Sequence, residues 1–214
     1  MQVSLQVPGG NFVSEKANLR TLAHPQGNIQ IVDHLFDADF IHRIHANLDL
    51  APYIANDFDS EETRHILHMK CELPAQELIT GTGLGQQAPG LSIVARLIFE
   101  LMQRLFSNYH QIAIQRIHVN NIPYGDVLSN HVDGQPQQVL TGLYFANAEW
   151  LQPWGGELIL CDTQGESLYA IEPKPGRVVL FPGDILHRAS APTRLCFARR
   201  LSIGHKFSAQ KREA

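Results

Sequence analysis

The chain has 214 residues, with 17 Lys and Arg against 21 Asp and Glu, a formal net charge of −4, 44% hydrophobic residues and 11 His. That balance supplies no basic face of the kind a nucleic-acid partner requires. Three scattered cysteines make no disulfide framework, no 18-residue apolar run suggests a membrane helix, and Met1–Gln6 lacks the basic and apolar regions of a signal peptide, so a cytoplasmic protein with no membrane partner is expected.

In chain order, Gln30–Val32 is a short candidate strand. Asp37 is placed to cap a helix over 38–48, where Phe40, Ile41, Ile44 and Leu48 recur at helical spacing. Arg64–Cys71 is a further candidate strand. The pairs His42/His45 and His65/His68 lack a nearby Glu of the HExxH type and are expected at the surface. Gly81-Thr82-Gly83-Leu84-Gly85 lacks the spacing and the Lys-Ser/Thr ending of a phosphate loop; a flexible loop, placed as a lid over the site, is expected. After Pro89-Gly90, Leu91, Val94, Leu97, Ile98, Leu101, Met102, Leu105 and Phe106 form one apolar stripe over about five helical turns. Such a stripe calls for a sheet beneath it.

Beyond residue 110 the texture changes to short strands: 112–120, 127–132, 139–145, 157–161, 167–172, 177–181 and 195–207. Turn signals separate them, among them Gly155-Gly156, Pro175-Gly176 and Pro182-Gly183-Asp184. Many strands without intervening helices argue against a parallel βαβ sheet. They favour an α+β single domain spanning 1–214, an antiparallel sandwich or jelly roll with the N-terminal helices packed on one outer face. Trp150 and Trp154 read as packing residues, and Gln135–Gln138 as a polar connector or pocket rim.

Within this frame, Asn130-His131-Val132-Asp133-Gly134 carries the chemistry. In a strand His131 and Asp133 share a face, offering one imidazole and one carboxylate to a divalent metal. The turn Pro182-Gly183-Asp184 can return His187 as a third ligand. Two His and one carboxylate leave three adjacent positions open on a non-haem Fe(II) centre. A hydrogen-bonded His–Asp pair without metal is the bland alternative, since one His-x-Asp among 11 His is weak. Thirteen residues later, Arg200-Leu201-Ser202 puts a guanidinium and a hydroxyl on one face, suited to a carboxylate. A solvated basic strand is the alternative there, given Arg194, Arg199 and Lys206 nearby.

These motifs, in order from Gln115 to Phe207, resemble the Fe(II)/2-oxoglutarate-dependent oxygenases of the prolyl 4-hydroxylase-like branch. The ordered pieces are Asn120–Gly125, His131-Val132-Asp133, Tyr144–Trp150, Trp154–Leu158, Pro175-Gly176-Arg177, Phe181–His187 and Arg200-Leu201-Ser202. The resemblance implies a double-stranded β-helix over 111–208, with 1–110 as helical support carrying a few strands and a lid. It implies His131, Asp133 and His187 as iron ligands, Arg200 and Ser202 on the distal carboxylate of 2-oxoglutarate, and Asn120 and Asn121 over the cosubstrate. Fe(II), 2-oxoglutarate and O2 are the implied cofactors, with ascorbate as a candidate reductant. The intact Asp133 implies hydroxylation, of a small molecule or a protein side chain, rather than halogenation. Two departures stand out: Phe145 occupies the place of a cosubstrate-binding Tyr, and the spacing from His187 to Arg200 is long, which leaves Arg199 as a competing anchor. Asn130 and Asp184 are the candidates for orienting the two His. A nucleic-acid demethylase of the same superfamily is disfavoured by the acidic balance, and a cupin-like metal- or sugar-binding module by His-x-Asp in place of His-x-His. Oligomeric state is not legible.

Overall fold

Both helical stripes form. In the computed structural model, which describes residues 16–58, 61, 64–65 and 67–212, α1 spans Ala38–Asp49 and the Asp37 carboxylate accepts a hydrogen bond from the Phe40 amide. That cap satisfies one of the amides a helix start leaves open. Three further helices follow: α2 (Ala75–Thr80), α3 (Leu84–Gln87) and α4 (Pro89–Leu105). None of the helices is long and apolar enough to cross a membrane among the described residues.

Among the described residues, eleven strands make two antiparallel sheets. They are β1 (Asn18–Leu22), β2 (Ile29–Asp33), β3 (Ile54–Asp57), β4 (His68–Leu73), β5 (Tyr109–Ile122), β6 (Val139–Phe145), β7 (Leu158–Cys161), β8 (Ser167–Ile171), β9 (Val178–Pro182), β10 (His187–Ala189) and β11 (Arg200–Lys211). The major sheet runs β1-β2-β9-β6-β11-β5-β4-β3, and β10-β7-β8 form a minor one. Strand alternation splits the core in two. Outward-facing Leu140, Tyr144, Val178, Leu180, Leu201, Ile203 and Phe207 pack under the apolar faces of α1 and α4. Gly142 lets α4 approach there, since a Cβ would meet Ile98 at 2.9 Å. Inward-facing Leu143, Phe145, Val179 and Phe181 instead meet Leu158, Leu160 and Ile171 of the minor sheet. This is the expected jelly-roll sandwich, with helices covering one outer face.

Two expected strands need correction. Residues 127–132 form no strand; only one bridge, His131 to His187, ties them to β10. The segment expected over 195–207 becomes a strand only at Arg200. The Asn147 side chain clamps that start, donating to the Arg199 carbonyl at 2.8 Å and accepting from the Leu201 amide at 2.7 Å. Strand β3 and helices α2 and α3 carry too few residues to announce themselves by periodicity. The Gly81–Gly85 segment joins α2 to α3, with Gly81 left-handed at the α2 C-terminus, and none of its residues lines the cavity described below.

Candidate active site

The inner face of the major sheet is a grid fixed by strand register. One row reads Lys70, Asn120, Ser202, Phe145; the next reads Glu72, His118, Gly204, Leu143; a third runs from Arg116 through Lys206 and Thr141 to Phe181. Arg200 lies beside Ile122 at the end of the grid. Gly204 has a structural reason: its Cβ would sit 2.7 Å from the His118 ring, which covers it. A cavity of about 180 Å³ opens over this face, lined among others by Arg116, Asn120, His131, Asp133, Arg200 and Lys206.

His131, Asp133 and His187 meet at the cavity, their ligand atoms all within 4.8 Å of one another. The meeting is enforced by backbone. His131 and His187 exchange two amide–carbonyl bonds of 2.9 Å, and the Asp133 amide donates to the Gly183 carbonyl at 2.7 Å. Each imidazole is oriented by the carbonyl two residues before it: Nδ1 of His131 bonds Ser129 at 3.1 Å, and Nδ1 of His187 bonds Ile185 at 2.8 Å. Because a carbonyl only accepts, Nδ1 carries the proton in each ring. In a neutral ring that leaves Nε2 as the ligating atom, and Nε2 lies 3.9 Å from Asp133 in His131 and 3.6 Å in His187. Asn130 and Asp184 do not orient the rings as expected. The Asn130 side chain accepts from Arg188 and the Asp184 oxygens accept from Gln26.

Asp133 is held on both oxygens, by Lys206 Nζ on Oδ1 at 2.7 Å and by the Thr141 hydroxyl on Oδ2 at 2.5 Å. Burial by itself would raise its carboxyl; His187, Lys206 and these hydrogen bonds outweigh that and hold it below the usual carboxylate range. Burial pushes His187 down, against the pull of Asp133, so its imidazole is neutral at pH 7. An ionised Asp133 carboxylate and a neutral His187 imidazole are protonation states a divalent metal needs. The donor set fits one.

Arg200 is 1% exposed. Its Nε donates to the Gly156 carbonyl at 2.6 Å and Nη1 to the Ser202 hydroxyl at 3.2 Å, while Phe145 lies 5.0 Å under the guanidinium. Burial pushes it down to about 10, which leaves it cationic at pH 7. Its Nη2 is buried without a partner, and a buried unsatisfied donor points to a missing acceptor. The Gly155-Gly156 turn makes room: both glycines have positive φ, and a Cβ on Gly156 would come within 3.1 Å of Arg200 Cδ. Arg199 points away, bonded at 2.6 Å to the exposed carboxylate of Asp49. The two asparagines divide as alternation demands: Asn120 lines the cavity, whereas Asn121, beside Leu201, belongs to the helix-side face.

Residues 117–207 match the family model described as the 2OG-Fe(II) oxygenase superfamily. The chain carries a 2OG-Fe(II) oxygenase domain. That family's enzymes are 2-oxoglutarate-dependent dioxygenases that use Fe(II), 2-oxoglutarate and O2, and the matched residues include the His-Asp-His set and Arg200. The oxygenase fold is shared with solved structures. A Trichoplax adhaerens prolyl hydroxylase in complex with a hypoxia inducible factor peptide fragment matches with a TM-score of 0.60 and 17% identity, over 84% of this chain and 83% of that one. A Pseudomonas putida prolyl-4-hydroxylase matches with a TM-score of 0.56 and 19% identity, over 86% and 93%. A viral collagen prolyl hydroxylase from Paramecium Bursaria Chlorella virus-1, in a 2OG complex, matches with a TM-score of 0.57 and 12% identity, over 85% and 96%. No curated protein sequence matches the chain significantly.

Sequence reasoning missed Lys206, Thr141 and Asn147. Lys206 was legible in principle, being three alternations along the strand from Arg200. It also mislaid His68, which is not at the surface but buried against Asp126 at 3.2 Å. The expected pocket rim Gln135–Gln138 borders a separate groove, and Trp150 and Trp154 pack edge-on with centroids 5.4 Å apart.

Proposed function

We propose that His131, Asp133 and His187 hold Fe(II), that Arg200 and Ser202 take the distal carboxylate of 2-oxoglutarate, and that the enzyme hydroxylates an unactivated C–H bond of a small molecule or protein side chain. When bound, the iron and cosubstrate supply O2-driven oxidation coupled to decarboxylation, so that R–H, 2-oxoglutarate and O2 become R–OH, succinate and CO2. The single observation that carries the reading is one cavity containing both a His-Asp-His set whose ligand atoms lie within 4.8 Å of one another and a buried arginine with an unpartnered Nη2.

The protein's own residues have distinct tasks. Carbonyls of Ser129 and Ile185 hold the imidazoles in the ligating tautomer. Thr141 and Lys206 fix the rotation of the Asp133 carboxylate. Phe145 contributes no hydroxyl; it supports the Arg200 guanidinium through its ring face, and Ser202 supplies the hydroxyl on that side. In this reading residues 111–208 are the oxygenase core and 1–110 its support. Three free, buried cysteines support residence in a reducing compartment such as the cytoplasm. Anaerobic addition of Fe(II) and 2-oxoglutarate should give a weak visible charge-transfer band, absent from His131→Ala; no band and no bound iron in the native protein would refute the assignment.

A further inference from the structure

Asp133 is placed to serve two cations at once. Its side chain is 4% exposed, and a carboxylate so buried needs a positive charge or hydrogen bonds to stay ionised. Lys206 supplies that charge from the protein itself. Its Nζ lies 2.7 Å from Oδ1, the same oxygen that stands 3.9 Å from His131 Nε2. The Lys206 side chain is 24% exposed, and Asp133 is its ion-pair partner among the described residues.

The sheet builds this arrangement. Lys206 of β11 and Thr141 of β6 stand directly opposite one another, so their ammonium and hydroxyl reach Asp133 from one rigid row, one on each oxygen. On its other side β11 loses register with β5 immediately after Lys206: Lys206 pairs with Arg116, but Phe207 pairs with Ile114. Gln115 is the extra residue of that bulge, and a bulge bends its strand and re-aims the side chains beside it. Asp133 itself lies outside any strand, its amide held by the Gly183 carbonyl.

The two donors are not equivalent toward a metal. Thr141 is neutral and fixes the rotation of the carboxylate. Lys206 carries a full charge, so a divalent ion arriving at Asp133, the one carboxylate of the three-donor set, meets a cation already bonded to it. Repulsion between two cations sharing one carboxylate is large even at the effective dielectric of a protein surface, and salt screens it weakly at a buried group. Orientation, by contrast, survives without Lys206, because the Thr141 hydroxyl and the Gly183 carbonyl remain in place. Resting on the oxygenase reading of the same site, we propose that Lys206 is a positioning residue that shares Asp133 with the iron, lowers the affinity of the three donors for it, and draws electron density from it through the shared carboxylate.

The test uses the full chain, with Mn(II) binding followed by electron paramagnetic resonance and the Fe(II)–2-oxoglutarate complex by its visible charge-transfer band under anaerobic conditions. Lys206→Gln keeps a hydrogen-bond donor and drops the charge. It should bind Mn(II) about tenfold or more tightly than the native protein, a gain of about 1.4 kcal/mol. Its band should move to longer wavelength, since an electron leaves a more electron-rich iron at lower energy. Lys206→Arg, which restores the charge, should return both readouts toward native values, whereas Thr141→Val, which frees the carboxylate without changing charge, should weaken Mn(II). A lysine with a merely structural role predicts weaker binding in Lys206→Gln. Should that variant need metal to fold, the comparison is read from melting: Mn(II) must raise its melting temperature by more than it raises the native protein's. Equal or weaker Mn(II) binding in Lys206→Gln, or an unmoved band, overturns the proposal and leaves the ligand set standing. A native protein that binds no Mn(II), or binds it no better than Asp133→Ala, overturns the oxygenase reading and this proposal with it.

Discussion

Replacing Arg200 by Ala removes a side chain that is 1% exposed and donates to the Gly156 carbonyl, to Ser202 and, through Nη2, to whatever anion enters the cavity. A hydrogen bond to a charged group contributes about 1.5–3 kcal/mol. If Arg200 and Ser202 hold 2-oxoglutarate as proposed, one guanidinium donor and the hydroxyl it orients should account for about 3 kcal/mol of its affinity. At about 1.4 kcal/mol per decade, the apparent dissociation constant should rise about 100-fold. The variant also strands the Gly156 carbonyl, so thermal melting must establish that the protein still folds. Arg200→Lys controls for this, keeping the charge but losing the planar fork, with a rise of about tenfold expected. The assay is anaerobic titration of 2-oxoglutarate into the Fe(II)-loaded protein, followed by the visible band. Arg199→Ala, which cuts an exposed pair with Asp49, should stay within about twofold. A large effect at Arg199 with none at Arg200 would mean that the inward and outward faces of β11 have been exchanged.

Asp133→Ala should abolish Mn(II) binding measured by electron paramagnetic resonance, and undiminished binding would remove Asp133 from the ligand set. Gly156→Ala, at φ +79° with Arg200 Cδ and Trp150 Cζ2 at 3.1 and 3.0 Å from the new Cβ, should cost about 1–2 kcal/mol in urea melts and weaken 2-oxoglutarate while leaving Mn(II) binding intact. A native 2-oxoglutarate titration in that variant would show that Arg200 does not depend on the turn. Asp33 accepts from Arg177 at 2.6 and 3.0 Å; burial would raise its carboxyl, but Arg177 holds it below the usual range. Its folded pKa is thus below its unfolded value near 3.9, so the pair stabilises fully above about pH 5 and less as pH falls toward the folded value. Asp33→Asn should cost about 3 kcal/mol at pH 7 and clearly less at pH 3; an equal cost at both would mean that charge is not what Arg177 requires.

How far the sequence could be read followed from the length of each periodic signal. The α4 stripe, β6 and the Asp37 cap were legible because each repeats or caps a pattern over many residues. His131 and Asp133 were placed together for a partly mistaken reason: not by strand alternation, but by one bridge to His187 and one amide bond to Gly183. Such long-range backbone pairing leaves no periodic trace. The choice between Arg199 and Arg200 turned on Arg-x-Ser in the sequence; the structure adds Asn147, whose side-chain clamp on both neighbours of Arg200 sets the strand's face. Asn121 was misplaced because two adjacent residues in a strand cannot both face one cavity. The buried His68 was misread because its partner Asp126 is far away in sequence.

The two ends of the cavity are built with unequal stiffness. Arg200 and Ser202 belong to β11, a 12-residue strand paired on both sides, to β5 and to β6. The His-Asp-His set instead joins a three-residue strand to a segment outside any strand, through the His131–His187 bridge and the Asp133–Gly183 bond. A ligand confined to the native state stabilises it by mass action, and it does so most where local opening otherwise costs least. Metal loading should therefore raise amide protection around His131, Asp133 and His187, while β11 is already protected in the metal-free protein. The division has a chemical sense. On the proposed assignment, an anchor holding a flexible dicarboxylate at a fixed distance needs rigid sheet, whereas a metal would impose its own geometry once three donors can reach it.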